Sequence, residues 1–594
     1  MAYQTRKTSV KSIIRDPDKH ARLLELVLRV NSIAIDTYHF IRLYCLDQYR
    51  IDAPQPELTS EFIYHCMIVL TQSTRKVAQK NELRIRQLTD FYNTHFQPLF
   101  NHQKVSKKDL GQILNYSATF METCYSVNLK EHFIKRLMRF VTVTTMGGDK
   151  VLIRQLKTAL KLNDATLVPA EYQEWYDKYR AELYPLEINK SIAYDCECRP
   201  FAYIKHSIFI NSHFETMNLT LADDKKMRLF QPISLRNSLI PKYITLDTHA
   251  ICDVFKLSKL KDDKHEIWSK IFDLDAKIFR ANRYQFNFTL QTDGVGASLL
   301  FCDKTIKPSK AKKVATPVPY IEPCNIDIGM VHDRAIVGCD PNKSNLLFMV
   351  DSCGNKLRYT KAQRDTESYA KKGRRTRLKM KALAMAVTVA ETELTQHTHN
   401  TVDFAKFCAY IQAKHVCSER VAEYYADIVH RKINWRTKVY RQKSVDNFIN
   451  KIATTFGSNP IITIGDWSNP QGSCIRGPST INIGLKRVIE KRYTTFLVDE
   501  YNTSKKCCNC GTTLEKIEAN WSLLKCKNCT QYIDCPEDKN DSMCRYNFYN
   551  RDYNSALNIL AISKHIIYHH VRPRLFERIR NLQPPVMDNG CTSH

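Results

Sequence analysis

Apolar residues recur every three or four positions through the first third of the chain. The pattern is clearest in ARLLELVLRVNSIAIDTYHFIRLYCLDQY (21–49) and continues through 60–100, 109–145 and 150–162. This period places the apolar side chains on one face of a helix. We therefore predict a helical region from Ala21 to about 185.

Short runs of β-branched and aromatic residues replace this pattern from about 190 to 320. YITLDTHAICDVF and YQFNFTLQTDGVGASLLFCD are such runs, separated by turn residues, and they predict strands. Residues 1–20 read as an extended basic arm. Four apolar or β-branched residues in this arm suggest a further strand: Thr8, Val10, Ile13 and Ile14. The basic, proline-rich KTIKPSKAKKVATPVPYIEP is typical of a linker, so a new domain is expected after it.

Strands alternate with helices beyond that linker. We predict an apolar strand around 324–336, a second strand ending at Met349–Val350 and helices from about 366 to 457. Strands at IITIGDW and TTFLVDE follow, and a last helix starts near Asp552. Such alternation indicates an α/β layer with a mostly parallel sheet.

The charge balance narrows the range of partners. The 594 residues are too many for one hydrophobic core, and 89 Lys and Arg against 61 Asp and Glu give a formal charge of +28. An excess of cations of this size favours polyanions, because each neutralised phosphate releases condensed counterions. The sequence has no apolar leader, no lipidation signal and no apolar run long enough to span a membrane. Nucleic acid is therefore preferred over a membrane as the partner, and an intracellular protein that is not secreted is expected.

Two CxxC pairs carry the strongest local signal. The pairs are separated by fifteen residues and consist of Cys507 and Cys510, then Cys526 and Cys529. This spacing is typical of a zinc ribbon, in which four thiolates bind one tetrahedral ion, and a redox pair is the alternative. We assign the zinc to these four, although Cys508, Cys535 and Cys544 lie close enough in sequence to compete. A structural zinc of this kind supports folding or nucleic-acid contact and does no chemistry.

Acidic residues stand at the ends of several predicted elements. Asp327 interrupts the apolar stretch CNIDIGMVHDRAIVG, Asp466 follows ITIG, Asp499 and Glu500 follow TTFLV, and Asp552 stands at a helix start. Each alone has an ordinary explanation as a turn or helix-capping residue. Together, on one α/β layer, they are what a two-metal phosphodiesterase needs, since three or four carboxylates hold two Mg²⁺ or Mn²⁺ ions.

The order of these motifs resembles a known nuclease family. An acidic strand with Asp-x-Gly, a later acidic strand, TSKKCCNCG leading into the second CxxC, and RDYNSALNI are similar to the RuvC domain of TnpB. Three further segments resemble the Fanzor proteins, RNA-guided relatives of TnpB: YQFNFTLQTDGVGASLLF, IITIGDWSNP and VDEYNTSKKC. The likeness covers about 280–560 and is loose over the helical region.

The resemblance implies a multidomain α+β protein with a helical recognition lobe, a β-rich wedge domain and an α/β RNase H-like (RuvC) nuclease core that carries an inserted zinc ribbon. The implied parts are a wedge arm (1–20), the recognition lobe (21–240), the wedge (241–320), the core in two pieces (321–505 and 536–580), the ribbon (506–535) and a disordered tail (581–594).

The resemblance also implies an RNA-guided DNA endonuclease that cleaves its target with two Mg²⁺ or Mn²⁺ ions. The expected partners are a guide RNA of the omega-RNA type and a double-stranded DNA target, bound by a monomeric ribonucleoprotein. A nuclear location, in the host if a virus encodes the protein, and an association with transposons follow from the same relatives. The rival expectation is a non-catalytic or transposition-associated nucleic-acid-binding protein with a degenerate RuvC fold.

One position separates the two groups of relatives. TnpB carries its second catalytic glutamate on the strand that reads ITIGDW here, and Gly465 stands at that position. Fanzor proteins use a glutamate on the next strand, which corresponds to Glu500. We therefore assign catalysis and the binding of the two ions to Asp327, Glu500 and Asp552. Asp499 competes with Glu500, because neighbouring strand residues face opposite ways, and Asp466 is a weaker fourth candidate.

A basic run inside the predicted nuclease domain is the candidate nucleic-acid contact. KKGRRTRLKMK (371–381) fits a helix lying along a nucleic-acid backbone, and a solvated helix face or a nuclear localisation signal are the alternatives. A second basic patch with an aromatic residue consists of Arg431, Lys432, Trp435, Arg436, Lys438 and Arg441, and charge on a solvated helix face explains it nearly as well. The assigned contacts are Lys371, Lys372, Arg374, Arg375, Arg377, Lys379 and Arg436.

Overall fold

The chain forms two compact units, each made of two stretches of sequence. Unit 1 comprises Met1–Lys310 and Arg375–Trp435, and unit 2 comprises Ala311–Arg374 and Arg436–His594. The computed structural model describes residues 3–72, 79–236, 238–257, 263–280, 283–305, 318–326, 329–467, 481–518, 520–531 and 545–578. Within those ranges no helix is both long and apolar enough to cross a membrane.

Strands and helices are numbered here in chain order over the described ranges. The strands are β1 (Tyr3–Ser9), β2 (Thr71–Gln72), β3 (Val105–Ser106), β4 (Ile244–Asp247), β5 (Tyr284–Thr292), β6 (Gly296–Asp303), β7 (Ile336–Asp340), β8 (Asn345–Asp351), β9 (Lys356–Thr360), β10 (Ile461–Gly465), β11 (Thr494–Val498), β12 (Glu515–Ile517), β13 (Asn520–Gln531) and β14 (Arg545–Asn550). The helices are α1 (Pro17–Arg50), α2 (Ser60–Val69), α3 (Gln79–Phe91), α4 (Gln97–Phe100), α5 (Gly111–Thr144), α6 (Lys150–Leu162), α7 (Gln173–Leu183), α8 (Ile192–Cys198), α9 (Ile204–Met217), α10 (Thr248–Phe255), α11 (Lys264–Ser269), α12 (Lys361–Glu367), α13 (Ala370–Leu383), α14 (Met385–Leu394), α15 (Phe404–Ala426), α16 (Ile428–Phe456), α17 (Asn482–Glu490) and α18 (Arg551–His569).

Unit 1 combines the expected helices with an antiparallel sheet in the order β1-β6-β5-β4. The amino-terminal arm supplies β1, but this strand ends at Ser9, earlier than predicted. Val10, Ile13 and Ile14 lie beyond it and are buried in the core next to a 3₁₀ turn. The apolar residues of the arm are therefore core residues and do not form a strand. The mostly polar residues before them, Tyr3–Ser9, form the hydrogen-bonded strand that pairs with β6.

The predicted strand YITLDTHAICDVF is wrong in its second half. β4 ends at Asp247, and THAICDVF forms α10. The side chain of Asp247 accepts a hydrogen bond from the backbone N–H of Ala250 and caps this helix. The capping residue Asp247 therefore starts a helix in the middle of the predicted strand, despite the β-branched residues that follow it.

Unit 2 contains a mixed five-stranded sheet in the order β11-β10-β7-β8-β9. β7, β10 and β11 are parallel, whereas β8 pairs antiparallel with both β7 and β9. The sheet is thus less parallel than predicted. The connections 341–344 and 352–355 are too short for a crossover, so consecutive strands there must run antiparallel.

The first strand of this sheet lies further along the chain than the predicted 324–336. Residues 323–325 form a turn, Gly329–Val331 form a 3₁₀ turn, and Asp333 adopts a left-handed conformation with φ of 59°. The strand begins only at Ile336, after these turns. The acid at its carboxyl end is Asp340, and Asp327 lies outside the described residues.

Helix α18 packs directly on β7 because the strand has a glycine at the contact. A β-carbon on Gly338 would lie 2.4 Å from the carbonyl oxygen of Ala556 and 2.7 Å from the Cβ of Leu560. This close approach brings the first turn of α18 to the sheet edge that holds Asp340. β12, β13 and β14 form a separate three-stranded sheet that contains the second CxxC pair.

Candidate active site and metal centre

Three carboxylates from three different elements gather at one edge of the mixed sheet. Asp340 is the last residue of β7, Glu500 follows the end of β11 by two residues, and Asp552 is in the first turn of α18. Asp340 and Asp552 are 7% and 2% exposed, and Glu500 is half-buried. Parallel strands end at the same sheet edge, which is why residues far apart in sequence meet there.

These carboxylates influence one another electrostatically. Burial raises the pKa of Asp340 well above its ordinary value, and the charges of Glu500 and Asp552 raise it further. Burial also raises the pKa of Glu500, to about 8, and the neighbouring charge of Asp466 adds to this effect. Buried carboxylates that repel one another are stabilised by protons or by cations. The donor set consists of oxygen atoms alone, which suits Mg²⁺ or Mn²⁺.

Asp552 is held by two asparagines and is not the helix cap. One of its carboxylate oxygens accepts a hydrogen bond from Asn342 Nδ2 at 2.6 Å, and the other accepts one from Asn345 Nδ2 at 2.5 Å. The capping residue is Asn550, whose side chain accepts from two backbone N–H groups of the first turn. The carboxylate of Asp552 is therefore fixed in place beside the end of β7.

Glu500 is positioned by the residues that follow β10. Its Oε1 accepts a hydrogen bond from the backbone N–H of Trp467 at 3.2 Å, and its own N–H donates to Asp466 Oδ1 at 3.4 Å. The other oxygen of Asp466 accepts from the Tyr320 hydroxyl at 3.1 Å. Asp466 therefore lies beside Glu500, where its charge bears on that side chain.

Asp499 takes a different partner from its neighbour Glu500. Its carboxylate binds Arg578 through two hydrogen bonds of 2.7 and 2.8 Å. Hydrogen bonding to this guanidinium lowers the pKa of Asp499. Of the two adjacent acids, Glu500 is the one that joins Asp340 and Asp552.

A buried lysine completes this region. Lys486, in α17, is 5% exposed, and its Nζ donates to the carbonyl oxygens of Gly465 at 2.6 Å and Trp467 at 3.4 Å. Four residues earlier in the same helix, the buried Asn482 donates to the carbonyl oxygen of Asn342 at 3.5 Å. One face of α17 therefore holds the chain after β10 and the chain after β7 at the same time.

Asp340 and Lys486 were both missed by sequence reasoning. The signal for Asp340 is IVGCDPN, an apolar run that ends in an acid followed by proline, which cannot continue a ladder. Lys486 lies in NIGLKRVIE, too short a helical stretch to identify from its period alone.

The four cysteines of the two CxxC pairs form a compact cluster. Their sulfur atoms all lie within 4.8 Å of one another, and among the described residues no other group of three or more Cys, His, Asp or Glu side chains is gathered this closely. Sγ of Cys510 lies 3.5 Å from that of Cys526, and Sγ of Cys507 lies 3.8 Å from that of Cys529. Four Zn–S bonds of about 2.3 Å in a tetrahedron separate the sulfurs by about 3.8 Å. The cluster thus fits one zinc ion.

The neighbouring cysteine Cys508 stands apart from this cluster. Its backbone N–H donates to Asn554 Oδ1 at 2.9 Å, and burial raises the pKa of its thiol to about 11. Cys535 and Cys544, the other two competitors, lie outside the described residues. Among the described residues, the four assigned cysteines are the group that could hold the zinc ion.

The basic run lies on α13, and most of its charges face outward. The exposed members are Lys371, Lys372, Arg374, Arg375 and Lys379. Arg377 is partly buried and donates to the carbonyl oxygen of His430 and to Asn434 Oδ1. Arg436, on α16, is exposed, and its guanidinium lies 5.7 Å from the ring centre of Tyr369.

Two further members of the second predicted patch, Arg431 and Trp435, contact the β5–β6 hairpin. Arg431 is 4% exposed and donates to the carbonyl oxygen of Asp293 at 2.9 Å. The ring of Trp435 lies where a β-carbon on Gly296 would stand, 2.1 Å from its nearest atom. Their part of the patch therefore has a structural role, and the prediction of a basic surface there is wrong for Arg431.

One segment of the chain is similar to a described domain. Residues 244–303, from β4 to β6, match a domain of unknown function (DUF8286). No curated protein matches the chain. Among solved structures, the chain is similar to the cryo-EM structure of a Cas12f1–sgRNA–target DNA complex, at 12% identity and a TM-score of 0.23, covering 94% of this chain and 99% of that one. At that TM-score the likeness carries no argument about this chain.

Proposed function

We propose that the protein is an RNA-guided DNA endonuclease whose RuvC-type site consists of Asp340, Glu500 and Asp552. The observation that carries the proposal is the meeting of these three carboxylates at the carboxyl edge of one sheet, where burial and then the charges of the other two raise the pKa of Asp340. A shared site of like charges has little structural benefit by itself, and it is the donor set of a two-metal phosphodiesterase.

The three carboxylates would hold two Mg²⁺ or Mn²⁺ ions. Ions bound there would supply an activated water and neutralise charge on the scissile phosphate, and hydrolysis would leave a 5′-phosphate and a 3′-hydroxyl. The chain itself provides fixed ligands: Asn342 and Asn345 orient Asp552, and the Trp467 N–H orients Glu500. Lys486 holds the chain that carries Trp467.

Asp340 and Asp327 are alternative candidates for the third carboxylate of the site, beside Glu500 and Asp552. The structure brings Asp340 to the other two acids, whereas the resemblance points to Asp327, which stays a prediction. Asp340→Asn and Asp327→Asn are a matched pair of variants, because each replaces one acid by its neutral isostere. We expect Asp340→Asn to abolish cleavage and Asp327→Asn to leave it within about threefold of wild type.

The guided part of the proposal rests on the Fanzor-like motifs and on the excess of positive charge. A basic helix such as α13 can follow a nucleic-acid backbone and read its shape, while base pairing supplies sequence. The exposed cations of α13 and Arg436 are the proposed contacts. The cysteine cluster, with its zinc, would be a second contact surface.

The test begins with the nucleic acid that copurifies with the protein. We would sequence the bound RNA, supply a DNA duplex matching it together with Mg²⁺ or Mn²⁺, and compare wild type with the Asp340→Asn, Glu500→Gln and Asp552→Asn variants. Cleavage of the matching duplex that is lost in all three variants supports the proposal. Heterogeneous RNA with no cleavage in either metal favours instead a binding protein with a degenerate nuclease fold.

A further inference from the structure

A cavity in unit 1 is lined by aromatic rings and by two cationic side chains. Its volume is about 410 Å³, and α1, α5, the segment before β4, and β4 and β5 line it. Four aromatic residues contribute to the lining: Tyr38, Tyr116, Phe120 and Tyr243. The strands that close it belong to the 244–303 segment that matches a domain of unknown function. A volume of this size suits a small ligand and excludes a nucleic-acid duplex.

The charged groups that line this cavity are Arg236 and Lys242. Arg236 is 7% exposed, and its guanidinium donates to two backbone carbonyl oxygens, those of Ser238 at 3.2 Å and Ile240 at 3.1 Å. Within the described ranges, neither cation pairs with a carboxylate. Burial lowers the pKa of Arg236 to about 10 and lowers that of Lys242. A buried cation without a counter-ion is costly, and an anion bound beside it offsets that cost.

The rings at the cavity complement this charge. Phe120 and Tyr243 are 57% and 37% exposed, whereas Tyr38 is buried. Partly exposed aromatic rings beside cations are the arrangement on which unpaired bases stack while their phosphates are neutralised. A ligand that complements both the rings and the cations has a flat aromatic body and an anionic group.

We propose that this cavity binds one nucleotide unit, with its base against Phe120 and Tyr243 and its phosphate at Arg236 and Lys242. The unit would be unstacked from its neighbours, since the cavity holds no more than a small molecule. This site goes beyond the proposed cleavage and stands without it, because none of its residues belongs to the carboxylate site.

The test measures binding of AMP and UMP to the full-length protein by calorimetry. Inorganic phosphate and adenosine are run separately as the two halves of the ligand. The variants are Lys242→Met and Tyr243→Ala, both at exposed positions, so that folding survives. Lys225→Met removes an exposed lysine outside the cavity and is the matched control. We expect each cavity variant to weaken AMP binding about tenfold, and Lys225→Met to leave it unchanged.

Three results would overturn the proposal. AMP binding that is absent or unaffected by both cavity variants removes the site. Inorganic phosphate binding as tightly as AMP identifies a simple anion site, and adenosine binding as tightly as AMP identifies an apolar cavity. An Asp340→Asn variant that loses cleavage but binds AMP as wild type separates this site from the proposed active site.

A second arm distinguishes the source of the nucleotide. A single-stranded oligonucleotide carrying 5-iodouracil is irradiated with the protein, and the cross-linked peptide is identified by mass spectrometry. Cross-linking at Phe120 or Tyr243 that AMP suppresses shows that the cavity takes a unit of a strand. AMP binding without any such cross-link shows that it takes free nucleotides. Either result supports the shared chemistry, and cross-links confined to other segments together with absent AMP binding contradict it.

Discussion

The side chain of Glu500 occupies the space beside Gly465 at the edge of the mixed sheet. A β-carbon placed on Gly465 would lie 1.8 Å from Oε1 of Glu500 and 2.7 Å from its Cγ. Gly465 ends β10 beside Val498 of β11, and the side chain of Glu500 reaches back across this strand pair. The glycine is therefore what admits the glutamate.

Gly465→Ala is expected to reduce cleavage about a hundredfold. The added methyl group would displace the Glu500 carboxylate by an ångström or more, and misplacement of that size costs about 10² in rate. The measurement is the single-turnover cleavage rate of a matched duplex. Gly484→Ala is the control, because a β-carbon at Gly484 meets nothing within 4 Å. A Gly465→Ala enzyme as fast as wild type would show that Glu500 is not needed where it lies.

Exchanging the two residues should restore part of the activity. Gly465→Glu alone places two carboxylates in one space and is expected to be inactive, and Glu500→Gly alone leaves none. The double variant Gly465→Glu/Glu500→Gly returns one carboxylate to the space from the neighbouring strand. We expect it to cleave at least about tenfold faster than either single variant, as a strongly coupled pair does. A double variant no better than the singles would mean that the two positions are not interchangeable.

The raised pKa of Glu500 makes stability depend on pH in a definite direction. Its pKa in the folded protein is about 8, above the 4.5 of an ordinary glutamate. The folded protein therefore keeps a proton that the unfolded chain has already lost, and the free energy of unfolding falls as pH rises from about 4.5 to about 8. Glu500→Gln removes this effect.

The metal-free Glu500→Gln protein should accordingly be more stable than wild type at pH 7.5, on the order of 1–3 kcal/mol, and equal to it at pH 4.5. Denaturant unfolding at the two pH values measures this difference. Added Mg²⁺ should stabilise wild type more than the variant, because the ion binds the folded carboxylate site. Equal stabilities at both pH values would show that Glu500 is not under electrostatic stress.

Lys486→Met should lower cleavage without unfolding the protein. The substitution keeps the length of the side chain but removes the donor to the Gly465 and Trp467 carbonyl oxygens, which frees the chain that positions Glu500. We expect a loss of about 10- to 100-fold, a weaker apparent affinity for Mn²⁺, and partial recovery in Lys486→Arg. Arg487→Met, on the exposed side of the same helix, is the control. An unchanged cleavage rate and Mn²⁺ affinity would show that Lys486 has only a structural role in the core.

Several parts of this arrangement could be predicted from the sequence, each for a local reason. The strands IITIG and TTFLV are short apolar runs bounded by polar residues, and the start of α18 carries a recognisable cap at Asn550. The cysteine cluster follows from spacing alone, because two CxxC pairs separated by fifteen residues are typical of a zinc ribbon. Each of these signals lies within about thirty residues of chain.

The other parts depend on contacts between distant residues. Asp340 becomes a candidate only when Gly338 lets α18 approach and bring Asp552 to it. The buried role of Arg431 depends on the hairpin at Asp293, which lies far away in sequence. A basic residue reads the same in sequence whether it faces solvent or a backbone carbonyl, so composition could not separate Arg431 from Arg436.

The cysteine cluster predicts opposite effects for two substitutions, one at Cys526 inside the cluster and one at Cys508 outside it. Cys526 is buried within the cluster, with its sulfur 3.5 Å from that of Cys510, whereas Cys508 lies outside the group of four. Cys526→Ser should therefore lose the ion and unfold the β12–β13 hairpin, because structural zinc supplies most of the folding energy of such small modules. Cys508→Ser should keep one zinc per chain. Metal analysis of the two purified variants, with limited proteolysis of the hairpin, measures both effects. Zinc retained by Cys526→Ser, or lost from Cys508→Ser, would reassign the ligands.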